Sequence, residues 1–196
     1  TYLLRNSFSG KYLDAAGGGQ SQTNVIQYNL IGGINQQWTF TYTGGGYYKI
    51  SPAYNSNLAL DVTDASKEND ANVWLYTSNS SNAQRWKVIK NPNGTYRLAS
   101  KCSHDTRVLT VASASLNSGA NVIQYEYNES GNDEWILVNS KLENKNVTSD
   151  YSVKLSGNNM YMDYTKPINK MLAENFEICK KERLMTSGEF IAATAM

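Results

Sequence analysis

Cysteine is nearly missing from this chain. Two residues among 196, Cys102 and Cys179, are too few for a disulfide-stapled scaffold, so the fold must stand on its core; a single bridge between the two is left open. Histidine is scarcer still. Its one copy lies in Cys102-Ser103-His104-Asp105. Side chains two residues apart are not held in nucleophile–base geometry by spacing alone, and no other histidine or cysteine is near enough in sequence to complete a metal set. His104 is read as a surface-loop residue, and no catalytic group, metal or cofactor is expected. Excess charge is also lacking: the formal net charge is +1, and residues 1–140 carry ten basic and ten acidic side chains. Such a balance builds no positive field for nucleic acid or an anionic membrane. No apolar run approaches the ~20 residues of a membrane-crossing helix, and none of the given residues reads as a signal peptide. The chain starts inside a repeat, at Thr1-Tyr2-Leu3-Leu4, so an export signal is expected to have stood upstream or been removed.

Repetition is what the sequence does contain. Asn24-Val25-Ile26-Gln27-Tyr28 recurs as Asn72-Val73-Trp74-Leu75-Tyr76 and as Asn121-Val122-Ile123-Gln124-Tyr125, and each copy is followed by a tryptophan: Trp38, Trp86 and Trp135. Upstream, Tyr12-Leu13-Asp14 echoes as Ala59-Leu60-Asp61 and, decayed, as Leu109-Thr110-Val111. The spacing from Asn24 to Asn72 is 48 and from Asn72 to Asn121 is 49; the tryptophans step by the same 48 and 49. Signals that drift together by one residue mark one supersecondary unit copied in tandem.

Composition changes abruptly after Asn139. Before it lie all four Trp, eleven of fourteen Tyr, twelve of fourteen Gly and no Met; after it come all five Met, no Trp and two Gly. The reading is a first domain over residues 1–139 (repeats about 1–46, 47–94 and 95–139), a linker over 140–150, and the start of a second domain over 151–196. Within the repeats, short alternating segments are punctuated by Gly17-Gly18-Gly19, Gly44-Gly45-Gly46, Asn91-Pro92-Asn93-Gly94 and Asn117-Ser118-Gly119. This is all-β patterning, with roughly four strands per repeat. The glycine triplets lack the lysine and helix start of a phosphate-binding loop. Gln36 and Gln84 precede their tryptophans by two residues and can bond turn backbone through both ends of the amide. Gln36, Trp38, Gln84, Trp86 and Trp135 are therefore read as structural.

Three tandem units, each with a Leu-Asp pair, an Asn-Val-x-x-aromatic strand and a Gln-x-Trp ending, resemble the ricin-type β-trefoil lectins. The likeness runs from Tyr2 to about Val138, with Gln36-Gln37-Trp38 and Gln84-Arg85-Trp86 intact and Asp133-Glu134-Trp135 lacking its glutamine. The resemblance implies an all-β trefoil of three repeats of ~48 residues, a six-stranded barrel capped by three hairpins, and one candidate sugar pocket per lobe. The family builds that pocket from the Asp of the first hairpin, the aromatic of the third strand, and an Asn just ahead of Gln-x-Trp. A sugar needs an aromatic face for its C–H patch and short polar groups for neighbouring hydroxyls.

Carried over residue by residue, lobe one holds Asp14, Tyr28 and Asn35, with Gly17 to Gly19 permitting close approach. Lobe two holds Asp61 and Tyr76, but Ala83 stands where the Asn belongs and Asn82 is its neighbour; Asp64 is a further rim candidate. Lobe three keeps Tyr125 and Asn132, with Thr110 in place of the Asp. A glutamine that some members place two residues before the aromatic is replaced here by Ile26, Trp74 and Ile123. The ranking is lobe one first, lobe two second, lobe three silent. Three structural alternatives stay open: Asp14 and Asp61 as turn acceptors, the three tyrosines as core residues kept by symmetry, and Asn35 as a turn former. Asp14 and Asp61 sit in different copies and are not taken as a glycosidase pair, whose carboxyls lie ~5–9.5 Å apart.

Beyond the linker, Tyr151 to Leu155 and Met160 to Met162 are expected to add strands, and helices are expected from Pro167 and from Thr186-Ser187-Gly188-Glu189. The second helix runs apolar to Met196, so the chain is expected to be a fragment whose effector domain lies beyond that residue. Taken together, the expectation is a non-catalytic, secreted bacterial carbohydrate-binding module. It would be a monomer with an appended α-rich domain, taking galactose- or xylose-type glycans or polysaccharide. The alternative is the non-catalytic part of a secreted hydrolase or toxin.

Overall fold

The computed structural model describes residues 1–140, 154–156 and 159–161. The chain divides into two compact units, Thr1–Asn144 and Lys145–Met196. In the first, each repeat supplies four strands. The first repeat gives β1 (Tyr2–Asn6), β2 (Tyr12–Ala15), β3 (Val25–Tyr28) and β4 (Trp38–Gly44); the second gives β5 (Tyr47–Pro52), β6 (Leu58–Val62), β7 (Val73–Thr77) and β8 (Trp86–Lys90); the third gives β9 (Tyr96–Ser100), β10 (Arg107–Val111), β11 (Val122–Glu126) and β12 (Trp135–Asn139).

Six of these strands close a ring. β1 pairs with β4, β4 with β5, β5 with β8, β8 with β9, β9 with β12, and β12 returns to β1, every pair antiparallel. The other six form three hairpins, β2–β3, β6–β7 and β10–β11. This is a β-trefoil, and closure leaves the barrel without a free edge. On one side each ring tryptophan faces a tyrosine, Tyr2 to Trp38, Tyr48 to Trp86 and Tyr96 to Trp135; on the other side the partners are Pro52, Ser100 and Asn6.

The repeated residues hold the lobes together. Trp38, Trp86 and Trp135 are wholly buried, and each indole N–H donates to a hairpin leucine carbonyl: Leu13 O at 3.0 Å, Leu60 O at 2.9 Å and Leu109 O at 2.9 Å. A buried Trp N–H needs such an acceptor, and here the acceptor ties barrel to cap. Gln36 and Gln84 sit at the ends of single 3₁₀ turns, Ile34–Gln36 and Asn82–Gln84. Gln36 accepts from Ile31 N and donates to Asn29 O; Gln84 accepts from Asn79 N and donates to Thr77 O. Asp133, in the third copy, accepts from Asn128 N through Oδ2. A carboxylate has no N–H to give the carbonyl that the glutamines satisfy, and its Oδ1 is buried without a partner.

On the pseudo-threefold axis the three repeated asparagines bond to one another in a closed cycle. Asn24 Nδ2 donates to Asn121 Oδ1 at 2.8 Å, Asn121 Nδ2 to Asn72 Oδ1 at 2.9 Å, and Asn72 Nδ2 to Asn24 Oδ1 at 3.0 Å. Neighbouring lobes are also sewn by Gln27, which donates to Ser115 O and Asn117 O, and by Gln124, which donates to Ser66 O and Glu68 O.

The structure corrects one alignment. Leu109, not Thr110, occupies the place of Leu13 and Leu60, so the third echo is Val108-Leu109-Thr110. Thr110 still stands where Asp14 and Asp61 do, since it faces Ile123 as they face Ile26 and Trp74.

In the second unit, β13 (Lys154–Ser156) pairs antiparallel with β14 (Asn159–Tyr161), with Leu155 opposite Met160. The linker beyond Ser140 and the helices expected from Pro167 and Thr186 lie outside the described residues, as does Cys179. Among the described residues no helix is long and apolar enough to cross a membrane.

Candidate functional site

In a two-stranded ladder, directly opposed residues and those two further along share one face. In the first hairpin Asp14 faces Ile26 and Tyr12 faces Tyr28, which puts Asp14 and Tyr28 on the same face. Tyr28 is 39% exposed, whereas Asp14 is only 3% exposed. Asn35 reaches Asp14 from the 3₁₀ turn ahead of Trp38: its Nδ2 donates to Asp14 Oδ1 at 2.9 Å. Asp14 Oδ2 is buried and accepts no hydrogen bond. The nearby Gln36 amide is bonded to Asn29 O at 2.7 Å. Burial pushes the Asp14 carboxyl above the usual aspartate range, against a smaller downward pull from Gln36 and Asn35. All three residues assigned to lobe one are thus brought together.

The turn after Asp14 explains its glycines. Gly17 and Gly18 have φ of 67° and 66°, in the left-handed region that costs glycine least. A Cβ on Gly17 would meet nothing within 4 Å, so this side of the turn is open. The other lobes hold the same backbone with Asp64 and Ala65, and with Ser113 and Ala114, all at positive φ.

Lobe two differs where the sequence changed. Asp61 and Tyr76 again share a hairpin face, and Trp74, directly opposite Asp61, shares it with them. The indole N–H of Trp74 donates to Asp61 Oδ1 at 3.0 Å, and Gln84 Nε2 donates to Asp61 Oδ2 at 2.9 Å. Both carboxylate oxygens are therefore bonded within the protein, and Asp61 is 6% exposed. The Trp74 and Tyr76 rings are stacked, with centroids 5.6 Å apart at 22°. Burial raises the Asp61 carboxyl; the bonds from Trp74 and Gln84 lower it in part, and Asp64 raises it slightly. Asn82 is exposed and makes no bond to Asp61, while Ala83 is buried. Asn82 is not brought to this carboxylate as Asn35 is to Asp14.

Lobe three has no acid on its hairpin face. Thr110 donates to Val108 O at 2.9 Å, turning its hydroxyl back on its own strand. Asn132 is buried, donates to Val111 O at 2.8 Å and accepts from Ser130 Oγ. Tyr125 is half-buried on the face it shares with Thr110.

Elsewhere, His104 is exposed, with φ of 60°, and Cys102 is buried, its thiol directed at Ser66 O. Among the described residues, no group of three or more His, Cys, Asp and Glu is placed to hold a metal.

Sequence reasoning passed over two features of these sites. The Asn cycle was in plain view as the most regular repeat, but only the closed trefoil shows that those residues meet. The Trp74–Asp61 bond had a weaker signal, a single indole at a position that elsewhere carries isoleucine.

Comparison with known proteins agrees with this geometry. Residues 1–73 and 34–125 match the family model described as ricin-type beta-trefoil lectin domain-like. Flavastacin of Elizabethkingia meningoseptica is 30% identical over 110 residues, covering 55% of this chain and 25% of that protein. The chain thus spans about a quarter of that relative. The designed threefold-symmetric protein ThreeFoil superposes with a TM-score of 0.67 at 40% identity, over 70% of this chain and 97% of that one. An exo-β-1,3-galactanase from Clostridium thermocellum superposes with a TM-score of 0.66 at 34% identity, over 70% of this chain and 29% of that one.

Proposed function

This chain belongs to the ricin-type β-trefoil lectin-like family, and from that premise we propose that its trefoil binds carbohydrate through lobe one. The supporting observation is Asp14, buried but with one carboxylate oxygen unpartnered, on the hairpin face that also presents the exposed Tyr28. The Tyr28 ring takes the C–H patch of a pyranose. Asp14 accepts from neighbouring hydroxyls, and Asn35, anchored on Asp14 Oδ1, fixes the carboxylate and offers its remaining amide valences.

Each hydroxyl gained by the protein is a hydroxyl lost by water, so a shallow single site binds weakly, with Kd from ~mM to tens of µM. Useful retention then comes from several molecules on one polysaccharide, or from an attached domain. Galactose- or xylose-type glycans are the substrate class. The wider role is to target a larger secreted bacterial protein to glycans, the trefoil itself performing no chemistry. A hydrolase or toxin as host is favoured by one fact: the matched segment makes up only a minor part of both flavastacin and the galactanase.

The test is calorimetric titration of the full chain with β-1,3-galactobiose and with xylobiose. Binding of one equivalent that Asp14→Ala abolishes and Asp61→Ala leaves intact is the expected result. Loss of binding with Asp61→Ala alone would reverse the ranking of the lobes, and no binding of either sugar would reject the reading.

A further inference from the structure

We infer that Trp74 is a built-in stand-in for a sugar, holding lobe two closed; this rests on the carbohydrate-binding reading of lobe one. A pyranose in such a pocket makes two contacts: a face laid on the aromatic ring, and a polar hydrogen given to the carboxylate. In lobe two both contacts are already made by one side chain of the protein. The Trp74 ring stacks on Tyr76, with centroids 5.6 Å apart at 22°, and its Nε1–H donates to Asp61 Oδ1 at 3.0 Å.

The register makes this possible. Trp74 is directly opposite Asp61, and Tyr76 follows two residues later on the same face, so one indole spans acid and tyrosine. Gln84 takes the second carboxylate oxygen at 2.9 Å, so lobe two offers an incoming hydroxyl no unpartnered oxygen. In lobe one the same position is Ile26, directly opposite Asp14. Isoleucine has no N–H and no ring; Asn35 donates to Asp14 Oδ1 instead, and Oδ2 has no partner. Lobe three carries Ile123, but faces it with Thr110 in place of an acid.

Two of the substitutions between lobe two and lobe one bear directly on the carboxylate: the tryptophan that occupies the acid, and Ala83 where Asn35 stands in the first lobe. A sugar entering lobe two must displace an indole that is intramolecular and already in place. Release of Trp74 sets free a stacking contact and a charge-assisted hydrogen bond, both of which the sugar must replace. Lobe two thus fills only at sugar concentrations well above those that fill lobe one.

The experiment is a ¹H–¹⁵N correlation titration of the full chain and of Trp74→Ile/Ala83→Asn, which rebuilds the lobe-one pattern, with methyl β-galactoside and xylobiose as probes. Isoleucine is already accommodated at positions 26 and 123, and the undisturbed part of the spectrum reports folding directly. The expected result is that the parent shows shifts around Tyr28 and not Tyr76, while the double variant shows shifts around both. The apparent dissociation constant for lobe two should then fall by at least about tenfold, the weight of one charge-assisted hydrogen bond. Shifts around Tyr76 in the parent at the same concentrations as around Tyr28 would overturn the inference, because lobe two would then be open. A double variant that responds only around Tyr28 would overturn it too. A response around Tyr76 in the variant with none around Tyr28 in either protein would support the inference and reject the assignment of lobe one. Silence of both lobes in both proteins would reject both readings.

Discussion

Asn24 and Asn121 lie 97 residues apart in sequence, yet the side-chain amide of the first donates to Oδ1 of the second across 2.8 Å. Asn72 completes the cycle with both. Each member gives one N–H and takes one, so removing any one leaves a donor and an acceptor stranded on the axis. Asn72→Ala is expected to cost about 1–3 kcal/mol, the penalty for leaving such groups unsatisfied. Urea unfolding would measure it, and removing a second member should add less than the first, because the cycle is already broken.

The tryptophan anchors give a second prediction. Trp86→Phe keeps most of the packing but leaves Leu60 O without its donor, for an expected loss of about 1–3 kcal/mol. Trp86→Ala also opens a cavity and should cost about 3–5 kcal/mol. Chemical denaturation of the two variants separates the hydrogen bond from the volume.

Gly33 offers a way to disturb the site without touching it. Its backbone is extended, with φ of −71°, so alanine fits the chain; but an added Cβ would collide with Asn35 Oδ1. The end of that short side chain must move off Asp14. Gly33→Ala is expected to weaken sugar binding at lobe one about tenfold while the unfolding midpoint barely changes. Calorimetry beside a thermal melt would check both halves.

Acid and base should act in opposite senses on two buried carboxyls. Asp14 is raised by burial above its usual 3.8, so its contribution to stability is present below the unfolded value and is lost as pH rises through the folded one. Burial also raises Glu134, but bonds from Asn93, Tyr127 and Thr95 and the Arg97 charge outweigh it, leaving the group below its usual 4.5. Its contribution is present above the unfolded value and is lost as pH falls through the folded one. Tyr127, pushed up to about 12 by burial and by Glu134, stays a donor throughout. Urea unfolding from pH 3 to 6 should show Glu134→Gln flattening the acid-side loss, while Asp14→Asn removes a decline on the alkaline side of 3.8. Sugar binding that needs the Asp14 carboxylate should weaken as pH falls through its raised value.

Much of this fold could be read from the chain because triplication repeats each signal three times. Any one Asn-Val-x-x-aromatic strand is ambiguous, but three copies in step with three tryptophans mark the hairpins and the barrel anchors. That Asp14 and Tyr28 share a hairpin face and that Asn35 meets Asp14 followed from the family resemblance, which named these three positions together. What escaped was everything that depends on partners distant in sequence. The Trp74 indole reaches Asp61 only because the two face each other across β6–β7, and spacing alone does not fix that register. Val108-Leu109-Thr110-Val111 was misaligned by one residue because Thr110, in place of the aspartate, leaves no charged residue to set the phase of the copy. Gln27 and Gln124 gave no hint that their amides end on a neighbouring lobe.

Because β12 is the partner that completes β1, residue for residue from Tyr2 against Asn139 to Asn6 against Trp135, the trefoil's own first strand is mated last. A ribosome must deliver nearly the whole trefoil before the ring can shut, and until then the earliest strand waits with one side unclaimed. Any chain stopped short of Trp135 would forfeit that partnership, and would present β1 to whatever neighbour arrived.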